Sequence, residues 1–453
     1  MFDALPAPEY LTEASAVHET LGRWILVDGY HIVYDAVRSK GATIVDAATG
    51  AEYLDMFSFF ASMPVGHNHP KLHDPGFLAR LHAATLTKVS NSDVYTPAMA
   101  DWVSAIGRTM PKGFEHLFFI EGGALAVENA LKVAFDWKVR KNIARGITKG
   151  TDDDLVGTKV IHFEHAFHGR SDYTLSLTNG FSREKTQYFP KFKWPRISTP
   201  AIFHALPEGE REQAVIDAEQ KSLAEIHAAI ATHGHDIAAI LIETIQGEGG
   251  DNHFRTEFLQ ALRDICDKHE ILLIFDEIQC GMGLTGKWWA FEHHGVYPDV
   301  FSFGKKSQVC GIASTRRVDE VDSCFKVPSR INSTWGGNIV DMVRATRYIE
   351  IIEQDNLRDN ATKMGEYLLA SLNKLAATHP MMYHVRGRGL MCAFRLPSSE
   401  IRAAVVKAAL ADEHLLILPC GPLSIRFRPV LDVKKEDIDE AMARLGRVLA
   451  KLG

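Results

Sequence analysis

From about residue 114 to residue 304 the chain alternates between two hydrophobic textures. Short, nearly continuous apolar runs ("HLFFI", "KVIHF", "IAAILIE", "ILLIFDE", "DVFSFG") are separated by longer stretches such as "ALAVENALKVAFDWKVRKN" and "EFLQALRDICDKH", whose apolar residues recur every three or four positions. A run that is apolar throughout suits a strand covered on both faces, and the longer period suits a helix. Their alternation predicts an α/β chain with a largely parallel sheet flanked by helices. Ligands on such sheets bind beyond the carboxyl ends of the strands, so chemistry is expected there.

The texture differs on either side of this region. Up to about Pro70, short strand-like runs such as "GATIVDAATGAEYLDM" alternate with Gly and Asp turns. Beyond about residue 345, one long helical stretch, "MVRATRYIEIIEQDNLRDNATKMGEYLLASLNKLAATH", leads to strand candidates in "HVRGRGLMCAFRL", "LLILPCG" and "SIRFRPV" and to a last helix. The 453 residues exceed what one hydrophobic core usually serves. The pattern predicts a large domain over 71–345 and a smaller α+β domain over 346–453, to which the segment 1–70 contributes.

Composition narrows the function classes. Apolar content of 46%, charged content of 24% and a formal charge of -7 are ordinary for a soluble protein. They provide no basic stripe for nucleic acid. Six dispersed cysteines contain no C-x-x-C pair, which argues against zinc ribbons and redox dithiols. "GHNHP" offers two histidines without a third ligand at useful spacing, so no metal is expected. No basic-then-apolar leader and no membrane-length apolar run is visible, and a cytoplasmic location is the expectation.

Residues 271–289, "ILLIFDEIQCGMGLTGKWW", carry several signals at once. Gly281, Gly283 and Gly286 are spaced as in a dinucleotide fingerprint, and with Lys287 they also spell most of a P-loop. The fingerprint should follow its strand directly, yet "DEIQC" intervenes and aromatic bulk follows. The P-loop needs Ser or Thr after its lysine to hold magnesium, and Trp288 stands there. What remains is the acid pair. Asp276 emerges from five apolar residues, and a buried carboxylate requires a cationic or hydrogen-bonding partner. Asp276 or Glu277 could equally cap the following turn.

A second strand candidate ends in lysines, "PDVFSFGKKSQVCG". An amine delivered to the same sheet edge as a buried acid suggests a carbonyl cofactor, the amine forming a Schiff base and the acid holding a protonated ring nitrogen. Pyridoxal 5′-phosphate is that cofactor. Its phosphate needs a cradle, and "EGGALAVENALK" places glycines at the opening of an amphipathic helix, where free N–H groups and the helix dipole favour an anion. The pattern alone does not choose between Lys305 and Lys306.

From about Val27 to the C-terminus the chain resembles the fold type I, class III (omega) aminotransferases. The motifs that carry the likeness run in family order: "VGHNHP", "EGGALAVEN", "FHGR", "ETIQGEGG", "DEIQCGMGLTG", the lysine after "FG", "STWGGN", "RGRGLM" and "IRFRP". The resemblance implies a mostly parallel seven-stranded sheet in the large domain. It implies Lys305 as the Schiff-base lysine, Asp276 on the pyridinium nitrogen, Gln279 at the ring hydroxyl and Ile278 beneath the ring. Gly123 and Ala124 would bind phosphate through backbone N–H groups, and Phe167 would stack on the other ring face beside His168. Thr334 would reach the phosphate from a neighbouring subunit, which implies a homodimer. The family commonly has Ser-Gly-Thr or Ser-Gly-Ala where this chain has Gly122-Gly123-Ala124, so one hydroxyl is missing from the cradle. Cys280 receives no role.

Arg170 and Arg426 are suited as bidentate clamps for substrate carboxylates, although single arginines more often make surface ion pairs. By analogy with related omega-aminotransferases, Glu248 would cover Arg426 while an omega-amino donor is bound by Arg170, and swing away for glutamate. Glu243 would support the site structurally. Within the family the motifs are most similar to the lysine 6-aminotransferase branch, with Asn332 at the pocket wall. That branch implies transfer of the ε-amine of L-lysine to 2-oxoglutarate, giving L-glutamate and 2-aminoadipate 6-semialdehyde, which cyclises to a piperideine carboxylate. The alternatives are an ornithine, acetylornithine or 4-aminobutyrate donor, a P-loop ATPase, or a catalytically silent cofactor-binding scaffold.

Overall fold

Alternate side chains of the apolar runs point to opposite faces of one sheet, and both faces are covered. In the computed structural model, which describes residues 11–453, seven strands form this sheet: β1 Phe114–Ile120, β2 Lys159–Phe163, β3 Arg196–Ile197, β4 Ile237–Glu243, β5 Leu272–Asp276, β6 Val300–Phe303 and β7 Cys310–Thr315. Their order is β1-β7-β6-β5-β4-β2-β3. The neighbours from β6 to β3 run parallel, whereas β7 is antiparallel to both β6 and β1.

Two helices show how the faces are closed: α1 Gly123–Ala144 and α2 Thr256–His269. Ile240, Ile242, Leu273 and Phe275 share a core with Phe258, Leu259 and Leu262 of α2. Their strand neighbours Ala239, Leu241, Leu272 and Ile274 face the other way, onto Val127, Ala130, Leu131 and Ala134 of α1. Each such large side chain contributes about 1.5–3 kcal/mol by leaving water, before conformational entropy is counted.

Two elements depart from the sequence expectation. Helix α1 is not amphipathic, because it lies between the sheet and a second layer that includes Val318, Val321 and Cys324. Several of its polar residues are therefore buried and find backbone partners: Lys138 Nζ donates to the Glu270 carbonyl at 2.7 Å, and Asn142 Nδ2 to the Val156 carbonyl at 2.7 Å. The single helical stretch beyond residue 345 is two helices, α3 Ile339–Gln354 and α4 Leu357–Thr378. The break falls at Asn356, whose φ of 50° is a left-handed conformation that asparagine tolerates better than most residues.

After α4 comes an antiparallel four-stranded sheet, in the order β8 Tyr383–Arg388, β9 Met391–Arg395, β11 Ser424–Phe427, β10 Leu418–Cys420. Near the N-terminus, Thr43–Val45 pairs antiparallel with Glu52–Asp55, which pairs parallel with Leu415–Leu416. Chain segments more than three hundred residues apart thus share one small sheet. Fully buried arginines tie the four-stranded sheet to the loop after β4. Arg386 donates to the carbonyls of Asp251 at 2.9 Å and His384 at 2.6 Å, and to that of Gly250. Arg428 grips both carboxylate oxygens of Asp251, at 2.9 and 2.5 Å. Removing one partner of such a pair strands a charge in the interior, at a cost of about 3–5 kcal/mol.

The glycines that imitate a nucleotide fingerprint belong to this packing. Gly283 and Gly286 have φ of 90° and 93°, and a Cβ on Gly286 would lie 2.2 Å from Thr362 Oγ1 of α4. They turn the chain and admit the helix. No helix among the described residues is long and apolar enough to cross a membrane.

Three histidines meet where the loop before Phe254 faces β8. The His204 and His253 rings are 6.2 Å apart, the His204 and His384 rings 5.9 Å, and Arg386 is close by. Burial, reinforced by Arg211 and Arg386, pushes His204 down to about 4, and burial drives His253 well below its usual value. In the unfolded chain such groups titrate near 6.5. Between pH 6.5 and about 4 the unfolded chain therefore binds protons that the folded chain refuses, and stability falls as pH falls. The thermal midpoint is expected to decline progressively below pH 6.5. His384→Asn, which removes a ring whose two nitrogens have no partner, should lose less over that interval than the parent in thermal unfolding followed by circular dichroism.

Candidate active site

Parallel register brings the chemistry to one edge of the sheet. Glu243 at the end of β4 lies opposite Asp276 at the end of β5, and Asp276 lies opposite Ser302 in β6, two residues before Gly304 and three before Lys305. Beside them, the chain leaves β1 through Gly122, with φ of 95°, and enters α1 at Gly123. These ends surround a cavity of about 590 Å³. Lys305, Asp276, Ile278, Gln279, Gly123, Ala124, Phe167, His168, Arg170 and Glu248 all border it.

Of the adjacent acids, Asp276 faces the cavity. Its Oδ2 is 2.8 Å from His168 Nδ1, and its Oδ1 accepts from Ser302 Oγ and the Ile278 N–H, each at 3.1 Å. Glu277 points away and braces the next turn. It accepts from Thr244 Oγ1 at 2.5 Å and from the N–H groups of Ala290 at 2.7 Å and Phe291 at 3.2 Å. Burial raises Glu277 to about 7. Glu243 likewise rises to about 7 through burial, with His168 opposing and Asp276 reinforcing. Its two oxygens accept from the N–H groups of Phe167 at 3.0 Å and Gly247 at 2.9 Å, so it orders the loops that carry Phe167 and Glu248.

The two lysines are equally distinct. Lys305 borders the cavity, and burial, reinforced by Arg426 and opposed by Asp276, lowers its amine to about 8. Lys306 is buried elsewhere, donating from Nζ to the Met63 carbonyl at 2.9 Å. Burial, with Arg428 adding to it, lowers Lys306 to about 7. Lys305 has φ of 53°, the left-handed region that costs a side-chain-bearing residue about 1–2 kcal/mol. Gln308, φ 60°, donates from Nε2 to the Ser62 carbonyl at 2.7 Å and holds this turn in place.

Where α1 begins, a Cβ on Gly123 would meet the Ile278 side chain at 3.1 Å, and one on Gly169, φ 136°, would stand 2.5 Å from the Ala124 Cβ. Only glycines let the start of α1 and the "FHGR" loop approach this closely. Arg170 is exposed at the cavity and has no ion-pair partner among the described residues. Arg426, its side chain 3% exposed, stands behind two others: Nη2 pairs with Glu248 Oε2 at 3.0 Å and Nη1 donates to Gln279 Oε1 at 3.0 Å. Arg428 also donates to that oxygen, at 3.1 Å from Nη2. Burial opposes ionisation of Glu248, but Arg426 and Lys185, 2.6 Å from Oε1, hold its carboxyl below the usual range.

Asn332 and Thr334 are not brought into this cavity. Asn332, expected at the pocket wall, is exposed outside it, because Ser90 Oγ donates to the Thr334 carbonyl at 2.6 Å, Ser92 Oγ donates to the Ser333 carbonyl, and Lys88 covers the Trp335 ring at 4.4 Å. Sequence reasoning passed over Ser62, Gln308, Cys310 and Asp341, which also line the cavity. Ser62 and Gln308 follow or occupy left-handed backbone made by residues other than glycine. No residue type announces such backbone.

This donor set fits pyridoxal 5′-phosphate. A carboxylate held by neutral donors and a histidine faces the cavity and suits a protonated ring nitrogen, an amine with a lowered pKa suits a carbonyl, and a glycine-opened helix start suits a phosphate.

Comparison with known proteins agrees with this chemistry. The aminotransferase class-III family matches residues 26–449. The L-lysine-epsilon aminotransferase of Mycobacterium tuberculosis is 51% identical over 97% of this chain and 96% of its own length. That of Amycolatopsis lactamdurans is 47% identical over 97% of each. The solved structure of the lysine aminotransferase from M. tuberculosis superposes with a TM-score of 0.94 at 50% identity, covering 98% of this chain and all of its own. With the family matched over residues 26–449 and a lysine and an acid brought to one cavity at the ends of neighbouring strands, the chain belongs to the class-III aminotransferases, enzymes dependent on pyridoxal 5′-phosphate.

Proposed function

We propose that this enzyme transfers the ε-amine of L-lysine to 2-oxoglutarate, giving 2-aminoadipate 6-semialdehyde and L-glutamate. The observation that carries this reading is the pair of arginines set in unlike ways around one reactive centre: Arg170 open at the cavity, and Arg426 covered by Glu248. The identities of 47–51% to L-lysine-epsilon aminotransferases support it.

When bound, pyridoxal 5′-phosphate supplies a carbonyl for the amine and a ring that takes up the electrons left by a departing proton. Asp276, oriented by His168, would hold the charge of the ring nitrogen. The backbone N–H groups of Gly123 and Ala124 would hold the phosphate, Ile278 and Phe167 would confine the ring, and Gln279 would meet its hydroxyl. With the cofactor bound, Lys305 would be its attachment point, and the freed Nζ would act as the base for the proton on the ε-carbon of lysine and as the acid that returns it. An amine lowered to about 8 is free base in useful proportion near neutral pH.

Arg170 binds the α-carboxylate of lysine, which places the distal amine at the reacting carbon. Lysine has no second carboxylate, so Glu248 stays on Arg426 and no buried cation is left bare. 2-Oxoglutarate brings two carboxylates, and one takes Arg426 in place of Glu248. In a homodimer, Thr334 and Asn332 of the second copy would complete the site, Thr334 at the phosphate and Asn332 beside the donor.

Mixing holoenzyme with L-lysine and 2-oxoglutarate should yield glutamate, followed by coupled assay, faster than ornithine or 4-aminobutyrate does. A preference for either of those donors would overturn the assignment. Lys305→Ala should lower the lysine rate by at least ~10³-fold while the protein remains folded, since both the attachment point and the proton carrier are lost. Arg170→Met should raise KM for lysine by about 10- to 100-fold, the worth of a charge-assisted carboxylate contact, in steady-state kinetics.

A further inference from the structure

Glu248 borders two cavities. One is the active site; the other, of about 360 Å³, lies beyond it and is lined by Lys185, Arg402, Phe181 and Gly421 among others. The carboxylate spans the two sides, with Oε2 3.0 Å from Arg426 Nη2 and Oε1 2.6 Å from Lys185 Nζ. Among the described residues, the only other charged one lining the outer cavity is Arg402, whose Nη1 reaches the Gly421 carbonyl and whose buried Nε meets no partner among them.

The backbone beneath Glu248 is fixed. Its carbonyl accepts from the Gly421 N–H at 2.7 Å, and Asp251, three residues on, is held by Arg386 and Arg428. Only the side chain is left to move. Lys185 is held from its own side, in the turn Arg183–Lys185, close to Phe181, whose ring stacks on His165 at 4.4 Å. A carboxylate leaving Arg426 at this depth would carry an unpaired charge unless another cation received it.

Resting on the reading that Arg426 binds a carboxylate of the second substrate, we propose that Lys185 is the docking partner of Glu248 in its displaced state, with Arg402 adding positive charge behind it. The contact exists before displacement, so Glu248 pivots about a bond already made instead of passing into water. Lys185 is a positioning residue: it acts through Glu248 and touches no substrate. Without it, Glu248 has Arg426 as its sole partner and competes harder with the incoming carboxylate.

The two half-reactions, followed separately by absorbance of the holoenzyme, test this. Lys185→Met should raise half-saturation by 2-oxoglutarate, and by glutamate in reverse, roughly three- to tenfold, the worth of a partly exposed charge-assisted bond. Half-saturation by lysine should stay within about twofold, and Lys185→Arg should restore the dicarboxylate values. In a Glu248→Ala background, Lys185→Met should have no further effect. An equal loss in that background would mean that Lys185 attracts the anion directly, and unchanged dicarboxylate binding in Lys185→Met would mean that Glu248 does not dock there; either overturns the proposal. If lysine fails to react with the parent enzyme, the donor assignment falls, while the glutamate and 2-oxoglutarate measurements still decide the role of Lys185.

Discussion

The carboxylate of Asp276, held in the interior at the tip of β5, is the constraint around which the site is built. An ionised carboxylate there is stable only while its oxygens are occupied, and His168, Ser302 and the Ile278 N–H occupy them. Each of these donors fixes a different piece of chain. His168 brings in the "FHGR" loop, Ser302 locks the register of β6 and hence the place of Lys305, and the Ile278 N–H shapes the turn that presents Ile278 and Gln279. The need to satisfy one charge therefore positions the machinery on three sides of the cavity.

A second constraint acts on the lysine. The turn carrying Lys305 and Gln308 has left-handed backbone at both residues, and it touches a segment, Ser58–Ala61, in which four successive non-glycine residues also have positive φ. The two irregular segments hold each other through Gln308 to the Ser62 carbonyl and Lys306 to the Met63 carbonyl. Conformations of this kind persist when surrounding contacts over-determine them, and they gather at functional sites. Lys306, next to Lys305 in sequence, is thereby a clamp for the turn that brings Lys305 to the cavity.

A third set of contacts couples the substrate end of the cavity to the rest of the fold. Gln279 Oε1 accepts from both Arg426 and Arg428, and Arg428 is locked to Asp251 at the base of the loop that bears Glu248. The acid that covers Arg426 and the arginine it covers are therefore anchored to one buried ion pair. The backbone at Glu248 is tied down by the Gly421 N–H, so on the proposed reading it is the side chain that moves.

Much of this was legible in the chain itself. Short runs apolar at every position suit strands buried on both faces, and polar residues at the end of such a run are expected at the sheet edge; this points to the 276–277 and 305–306 pairs before any coordinates are known. The apolar pattern could not separate Asp276 from Glu277 or Lys305 from Lys306, which the family resemblance did, because neighbouring residues share a composition and differ only in which way the backbone turns them. The physical basis of that choice lies in parallel register and in left-handed backbone at Lys305, neither of which leaves a residue signature. Arg170, Arg426, Lys185 and Glu248 lie scattered over more than 250 positions, and only tertiary packing decides which cation is open, which is covered, and which waits behind the acid between them.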